Sequence, residues 1–420
     1  MGTKELYDLY VSHPLVTTDT RQCVEGALFF ALRGERFDGN QYAAKALEAG
    51  CAAAVVDDAS VAVEGDSRYV VVDDVLTSLQ QLAAYRRRQL HIPVIQVTGT
   101  NGKTTTKELI AAVLARRYRV RFTQGNLNNH IGVPLTLLSI ADSDEIAVVE
   151  TGANHPGEIA FLCSMVQADC GLITNVGRAH LEGFGSFDGV KHTKGELYDD
   201  LAARGAFAFL NEDDHDLCVM AQERGVRTMA YVAGEVLRCS PFLECRVGGR
   251  EIRTRLIGAY NIANVRAAVT VGLHFGVDMD DIVAALEDYE PRLGRSQYVE
   301  TGRNRLIVDA YNANPTSMQL ALDNFREMGA EGRMVILGAM GELGEDSVKL
   351  HQEVAGKIDC EAWLVGREWS FVSTSEGLPV RRFDSVDDVV REVEAQPLKD
   401  RTILVKGSHS TRLYELPKHL

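Results

Sequence analysis

The 420-residue chain lacks the features that would tie it to a membrane, to nucleic acid or to an oxidising compartment. Its eight cysteines are scattered singly, with no CxxC pair and no His/Cys cluster at structural-zinc spacing, so they read as buried reduced thiols. No apolar run is long enough to cross a bilayer. The longest uncharged stretch, residues 122–141, carries Gln124, Asn126, Asn128, Asn129 and Pro134. Met1 to Leu15 holds Lys4, Glu5 and Asp8 and no apolar segment, so no signal peptide is visible and a cytoplasmic protein is expected. There is no basic excess. Lys and Arg number 44 against 59 Asp and Glu, and a net charge of −15 repels a nucleic-acid backbone. Internal repeats, low-complexity tracts and an NKxD guanine-reading motif are also missing, the last of which weakens a GTPase reading.

What is present is a globular composition, 45% hydrophobic and 25% charged, enough to bury several cores. Short β-branched runs alternate with longer helical stretches, the pattern of βαβ units and mostly parallel sheets. Three blocks emerge. The first, residues 1–92, carries strand-like runs at Ala27–Leu32, Ala52–Val56 and Tyr69–Val72 and a helix over Thr77–Leu90, whose Arg86-Arg87-Arg88 reads as a solvated helix end. The second, 93–292, opens with a strand at Val94–Thr98 and a helix from Lys103 to Arg116; further buried strands are expected at Ile146–Glu150 and Gly171–Val176. The third, 293–420, has runs at Leu306–Asp309, Met334–Leu337, Trp363–Val365 and Thr402–Lys406, a small doubly wound layout. Residues 290–294, Glu-Pro-Arg-Leu-Gly, have linker composition.

The strongest chemical signal is Gly99-Thr100-Asn101-Gly102-Lys103-Thr104-Thr105-Thr106, a loop between a strand and a helix. Backbone N–H groups and the helix N-terminus can cradle phosphates there, with Lys103 as a cation near them and the Thr104 hydroxyl as a ligand for Mg²⁺. It departs from GxxxxGK[ST], because Val97 stands where the first Gly would fall. Glu150 ends an apolar strand, where a second metal ligand is needed in such a fold; the other reading is a solvated strand end. His180 follows the next strand on the same expected edge, and reads either as a metal ligand or as a core histidine.

Together these motifs resemble the Mur ligases, the ATP-dependent amide ligases of peptidoglycan precursor synthesis. The resemblance rests on the loop at 99–106, Glu150, Asn175–Ser186 and Gly258–Asn264, and it spans nearly the whole chain. The segments 124–134, 152–158, 309–318 and 342–345 point to the branch that adds D-alanyl-D-alanine. It implies an α/β protein of three domains: a small α/β UDP-sugar-binding domain, a central P-loop ATPase with a mostly parallel sheet, and a C-terminal Rossmann-like domain. It further implies that Asn261 and Asn264 belong to the adenine site, and that Arg295 and Asp309 reach the ATP phosphates and ribose. Asn312 and Asn314 fall to the dipeptide, and Asp19, Thr20, Arg21, Arg36, Phe37 and Asp38 to the uridine nucleotide. Lys194 falls where the family carries a carbamylated lysine beside the metal; a plain lysine contacting phosphate is the other reading. Departures are Thr151 where Met is common, Ala339 where Asp is usual and His409 where Arg is often found.

The implied reaction is phosphorylation of the terminal carboxylate of a UDP-N-acetylmuramoyl-tripeptide by ATP, then attack of the D-alanyl-D-alanine amine on the acyl phosphate. Lys103 and Mg²⁺ supply positioning and charge neutralisation. The expected partners are these small molecules alone, with no nucleic acid and no membrane span, in a monomer. The rivals are a sister ligase, folylpolyglutamate synthase, and a non-catalytic nucleotide switch. The segments around Asn128 and Asn312 argue against the first two. Lys103, Thr104, Glu150, His180 and Lys194 together argue against the third.

Overall fold

In the computed structural model, residues 1–291 and 294–420 are described. The expected boundary between 292 and 293 lies outside them. The chain is a three-domain α/β protein, and each of the three blocks carries its own principal sheet. In the first, four parallel strands run in the order Val16–Thr17, Leu28–Phe30, Ala53–Val56, Tyr69–Val71. A two-stranded hairpin, Arg33–Gly34 with Phe37–Asp38, projects from it.

The central sheet has six parallel strands. Val94–Thr98 lies inside it, between Cys170–Ile173 and Ile146–Glu150, with Phe207–Leu210 and Arg227–Ala230 beyond the first and Val120–Phe122 beyond the second. Strands that are apolar on both faces are what a sheet covered by helices on both sides requires. The strand Val94–Thr98 is therefore flanked by elements that leave it in opposite directions, and a crevice opens at the carboxyl ends. A three-stranded antiparallel sheet, Gly234–Cys239, Phe242–Val247 and Arg250–Ile257, was not foreseen. The third block is a six-stranded sheet with one antiparallel edge strand, Gln297–Glu300. In it Arg305–Asp309 and Thr402–Lys406 are neighbours, which sets Asp309 opposite Lys406.

The reading of Arg86–Arg88 as a solvated helix end needs correction. Arg88 is exposed, but Arg86 and Arg87 are each only 7% exposed. Their helix, Val75–Gln89, lies against the central-domain helices Gly132–Leu138 and Glu158–Val166, and the guanidinium groups reach carbonyls that those elements leave without a helical partner. Arg87 Nε donates to Val166 O (2.8 Å), and its Nη2 to Gln167 O (2.8 Å) and Asp169 Oδ2 (2.9 Å). Arg86 Nη2 donates to Ile140 O (2.8 Å) and Asp142 Oδ1 (2.7 Å). One apolar core runs beneath them from Leu6, Tyr10 and Leu79 to Val133, Leu137 and Leu162, so the first two domains share an interior.

Arg87→Ala, which removes four hydrogen bonds of the guanidinium and a buried stem, is expected to destabilise the protein by roughly 2–4 kcal/mol. Arg88→Ala should stay within about 0.5 kcal/mol of wild type. Urea unfolding of both variants checks the contrast; equal shifts would remove the clamp from the account.

Candidate active site

The loop after Val94–Thr98 is shaped by two glycines. Gly99 has φ +140°, and a Cβ there would stand 2.1 Å from Thr174 Oγ1; Gly102 has φ +76°, with Asn264 Oδ1 2.9 Å from where its Cβ would be. Neither position has room for a side chain, and neither conformation suits one. Behind the loop, Asn175 braces it: Asn101 N donates to Asn175 Oδ1 (3.0 Å), and Thr100 N to Asn175 O (3.0 Å). Lys103 Nζ donates to the carbonyls of Gly99 (2.9 Å) and Thr100 (3.0 Å), which holds the ammonium over the loop. Burial pushes its pKa down; the nearby Glu150 carboxylate opposes this and Arg295 adds to it.

Glu150 is 1% exposed. Asn128 Nδ2 donates to its Oε1 at 2.7 Å, and Lys107 Nζ stands 3.9 Å from its Oε2. Lys107 is itself fully buried, one helical turn beyond Lys103, and donates to Thr123 O at 2.7 Å. Thr123 Oγ1 in turn accepts from Glu150 N at 2.9 Å. Glu150 Oε2 has no hydrogen-bond partner among the described residues. Sequence reasoning missed Lys107 and gave Asn128 no individual role. The only signal was their company: a lysine on the P-loop helix and an Asn-rich loop at the next strand end.

The loop from Thr100 to Thr105, Asn128 and Glu150 line a cleft of about 700 Å³ between the central and C-terminal domains. Of the residues named from sequence it gathers Thr100 to Thr105, Glu150, His180, Asn261 and Asn264 from the central domain. Arg295, Asp309 and Asn312 come from the C-terminal side. Gly99, Lys194, Asn314 and the whole first-domain set lie outside this lining.

The details differ from simple ligand positions. Asn264 Nδ2 donates to Asn261 Oδ1 (2.7 Å), and Asn264 Oδ1 accepts from Thr106 Oγ1 (2.9 Å), so the pair ties its helix to the P-loop helix. His180, in the left-handed region at φ +52°, pairs through Nδ1 with Glu342 of the C-terminal domain, also left-handed at φ +59°. That pairing holds the Glu342 carboxyl below its usual range. Asp309 is gripped by Lys406 Nζ at 2.5 Å, and Arg295 lies 3.8 Å from the centre of the Tyr311 ring. Lys406, which also lines the cleft, went unassigned from sequence, because only the sheet order brings it beside Asp309.

Lys194 is 2% exposed, with Nζ 3.4 Å from Ala153 O and 5.3 Å from the Phe184 ring centre. Burial first, and the Lys103 charge second, push its pKa down to about 7. In the first domain Asp19 caps the turn Thr20–Gln22 and chelates Arg21 (Nη2 to Oδ2, 2.7 Å), which lowers the Asp19 pKa to about 2. Arg21 is otherwise open to solvent, as are Arg36 and Phe37 on the hairpin. Asp38 accepts from Asn40 N and Nδ2 at 2.9 and 2.8 Å. Of the departures, Thr151 has a local reason: its Oγ1 accepts from the buried Gln96 Nε2 at 3.0 Å, where a methionine would leave that donor only the weak acceptor Cys163 Sγ at 3.2 Å. Ala339 is buried and lies outside the cleft lining; His409 stacks on Tyr414.

A bound Mg²⁺ takes hard oxygen donors. The Thr104 hydroxyl and the Oε2 of Glu150, which accepts no hydrogen bond, fit that requirement and both residues line the cleft, while the His180 imidazole is engaged with Glu342. Among the described residues no group of three or more His, Cys, Asp or Glu could hold a metal by itself, so such an ion would need oxygen from a bound phosphate as well.

The chain matches three family descriptions: "Mur ligase family, catalytic domain" over residues 14–100, "Mur ligase middle domain" over 97–272, and "Mur ligase, glutamate ligase domain" over 294–409. The UDP-N-acetylmuramoyl-tripeptide--D-alanyl-D-alanine ligase of Escherichia coli (strain K12) is 35% identical over 99% of this chain and 95% of its own length. A crystal structure of MurF from Acinetobacter baumannii aligns with a TM-score of 0.83 at 30% identity, covering 96% of this chain and 92% of that one. The MurF ligase of Thermotoga maritima in complex with ADP shares the fold with a TM-score of 0.84 at 24% identity, over 98% and 97% of the two chains.

Gly99→Ala should cost nucleotide affinity at least tenfold, from left-handed strain and the Thr174 collision together, with an unchanged far-ultraviolet circular dichroism spectrum. Calorimetric titration with ADP checks it, and wild-type affinity would mean that the loop does not cradle phosphate.

Proposed function

The chain belongs to the Mur ligase family, and we infer from that premise how its cleft performs the family's amide-forming reaction. The protein is an ATP-dependent ligase that joins D-alanyl-D-alanine to a UDP-N-acetylmuramoyl-tripeptide in peptidoglycan synthesis. The observation that carries the mechanistic reading is that one cleft contains the phosphate loop, the unpartnered oxygen of Glu150 and the C-terminal segment from Asp309 to Asn312.

We assign residues 1–92 to the UDP-sugar domain, 93–292 to the ATPase and 293–420 to the Rossmann-like domain. The loop from Gly99 to Thr105 binds the ATP phosphates through the backbone N–H groups at the start of the helix Lys103–Leu114, those of Thr100 and Asn101 being taken by Asn175, and Lys103 offsets the charge that develops as the γ-phosphoryl leaves. Thr104 and Glu150 hold Mg²⁺, which when bound neutralises phosphate oxygens. Asn261 and Asn264 border the adenine, and Arg295 and Asp309 meet the nucleotide from the C-terminal side. The tripeptide carboxylate takes the phosphoryl group and ADP departs. The free amine of the dipeptide, held beside Asn312, then attacks the acyl carbon, and the C–O bond to phosphate breaks. Asp19, Thr20, Arg21, Arg36, Phe37 and Asp38 form a surface for the uridine nucleotide, supported by the exposed side chains of Arg21, Arg36 and Phe37.

Two finer readings follow. Lys194 carries a carbamate: a buried amine whose pKa falls to about 7 has a substantial neutral fraction at physiological pH, and that neutral amine adds CO₂ and releases a proton to give a carbamate anion one carbon and two oxygens longer. The second is that the enzyme works as a cytoplasmic monomer. Among the described residues no helix is long and apolar enough to cross a membrane.

Phosphate release should require ATP, the UDP-muramoyl tripeptide and D-alanyl-D-alanine together; release that ignores the dipeptide would overturn the assignment. Lys103→Ala should abolish it without unfolding the protein. Lys194→Ala should also be inactive and regain part of its activity with acetate. ¹³C-bicarbonate should give the wild type a carbamate resonance that the variant lacks; no resonance and no rescue would return Lys194 to a plain lysine.

A further inference from the structure

The C-terminal helix Pro315–Glu327 begins at Asn314, whose side chain makes two bonds in different domains. Its Oδ1 accepts from the Ser317 backbone N–H at 2.9 Å, part of a capping box. Its Nδ2 donates to Asn101 Oδ1, in the phosphate loop, at 2.8 Å. The first bond dictates the second. Only an oxygen can face the Ser317 N–H, so the amide nitrogen is the atom turned to the loop. Asn101 must then offer its oxygen to Asn314, which leaves its own Nδ2 as the free end. That Nδ2 is buried in a residue of the cleft lining and has no partner among the described residues.

The surroundings make this a defined seat rather than a glancing touch. The Asn101 carbonyl accepts from Thr174 Oγ1 (2.6 Å) and Asn175 Nδ2 (3.0 Å), so the loop backbone is fixed and only the carboxamide can turn. Two residues beyond Asn314, Thr316 Oγ1 accepts from Arg178 N at 3.2 Å. The first turn of the helix is thus anchored on both segments that form the phosphate end of the cleft.

We propose that Asn314 is a positioning residue for phosphoryl transfer: the seated C-terminal domain turns the Asn101 carboxamide so that Nδ2 faces the nucleotide phosphates. The donor set of the loop is complete only while that domain is docked. On the ligase reading above, on which this rests, the consequence is chemical. An acyl phosphate formed in an open cleft is lost to water, and this link ties its formation to the presence of the domain that brings the attacking amine.

Two substitutions separate this role from helix capping. Asn, Asp and Ser are nearly equal N-caps, so both Asn314→Asp and Asn314→Ser should fold and melt close to wild type. Aspartate presents oxygen to Asn101 Oδ1, which forces the Asn101 amide to turn over and aim its oxygen at the phosphates. Serine is too short to reach Asn101 and leaves that amide free. The kcat for dipeptide-dependent phosphate release should therefore rank wild type above Ser above Asp, with Asp lower than wild type by about tenfold to a hundredfold. The KM for the UDP substrate should not change in either variant. Equal kcat in all three proteins, a rise confined to the dipeptide KM, or melting temperatures that fall in step with kcat would each overturn the proposal. Wild-type phosphate release that does not depend on the dipeptide would instead fault the ligase reading beneath it.

Discussion

A carboxylate that is almost wholly removed from solvent sits at the end of an apolar strand, and much of the central domain is arranged around that fact. An unpaired charge in such a place is among the most expensive things a fold can contain. Glu150 is kept by a small polar ring: Asn128 donates to one oxygen, Lys107 lies within ion-pair range of the other, and Thr123 links both to the neighbouring strand end. The ring leaves one oxygen of this cleft-lining residue without a hydrogen bond. Groups that do not touch substrate thus decide where the reactive edge points, as partners of metal ligands commonly do.

The same economy governs the joints between domains. The first and second domains share an apolar core and a pair of buried arginines, so they behave as one body. The third meets the second through polar contacts near the cleft, Asn314 on Asn101, Thr316 on Arg178 and Glu342 on His180, and through an apolar patch in which Ile257, Phe242 and Leu181 join the C-terminal core. Polar contacts of this kind form and break at far lower cost than a buried apolar interface. A ligase that must admit three substrates and then exclude water needs a joint that can open, and the polar contacts beside the cleft are the part of the second interface suited to it.

The parallel strands around the site were legible because strands buried on both faces read as unbroken apolar runs; Val94–Thr98, Ile146–Glu150 and Thr402–Lys406 lie at the residues expected. The phosphate loop was legible because its glycines and lysine stand in consecutive order. The antiparallel sheet from Gly234 to Ile257 was not, since its exposed strands carry alternating charges such as Glu235, Arg246 and Glu251, which pair across strands and look in sequence like a solvated loop. Arg86, Arg87 and Arg88 are identical letters, and only the helices packed over the first two separate them. Lys406 beside Asp309 and Glu342 beside His180 were hidden for a further reason: contacts between distant segments follow from strand order and domain docking, neither of which a local pattern encodes.

The central claim is that Glu150 is held with one oxygen ready for a cation at the phosphate loop. A crystal grown with Mn²⁺ and a non-hydrolysable ATP analogue tests it most directly, because manganese identifies itself by anomalous scattering. The account predicts an anomalous peak about 2.1–2.2 Å from Glu150 Oε2 and from the Thr104 hydroxyl, with Asn128 still bonded to the other carboxylate oxygen. A metal bound on the phosphates alone, with Glu150 still facing only Asn128 and Lys107, would contradict it.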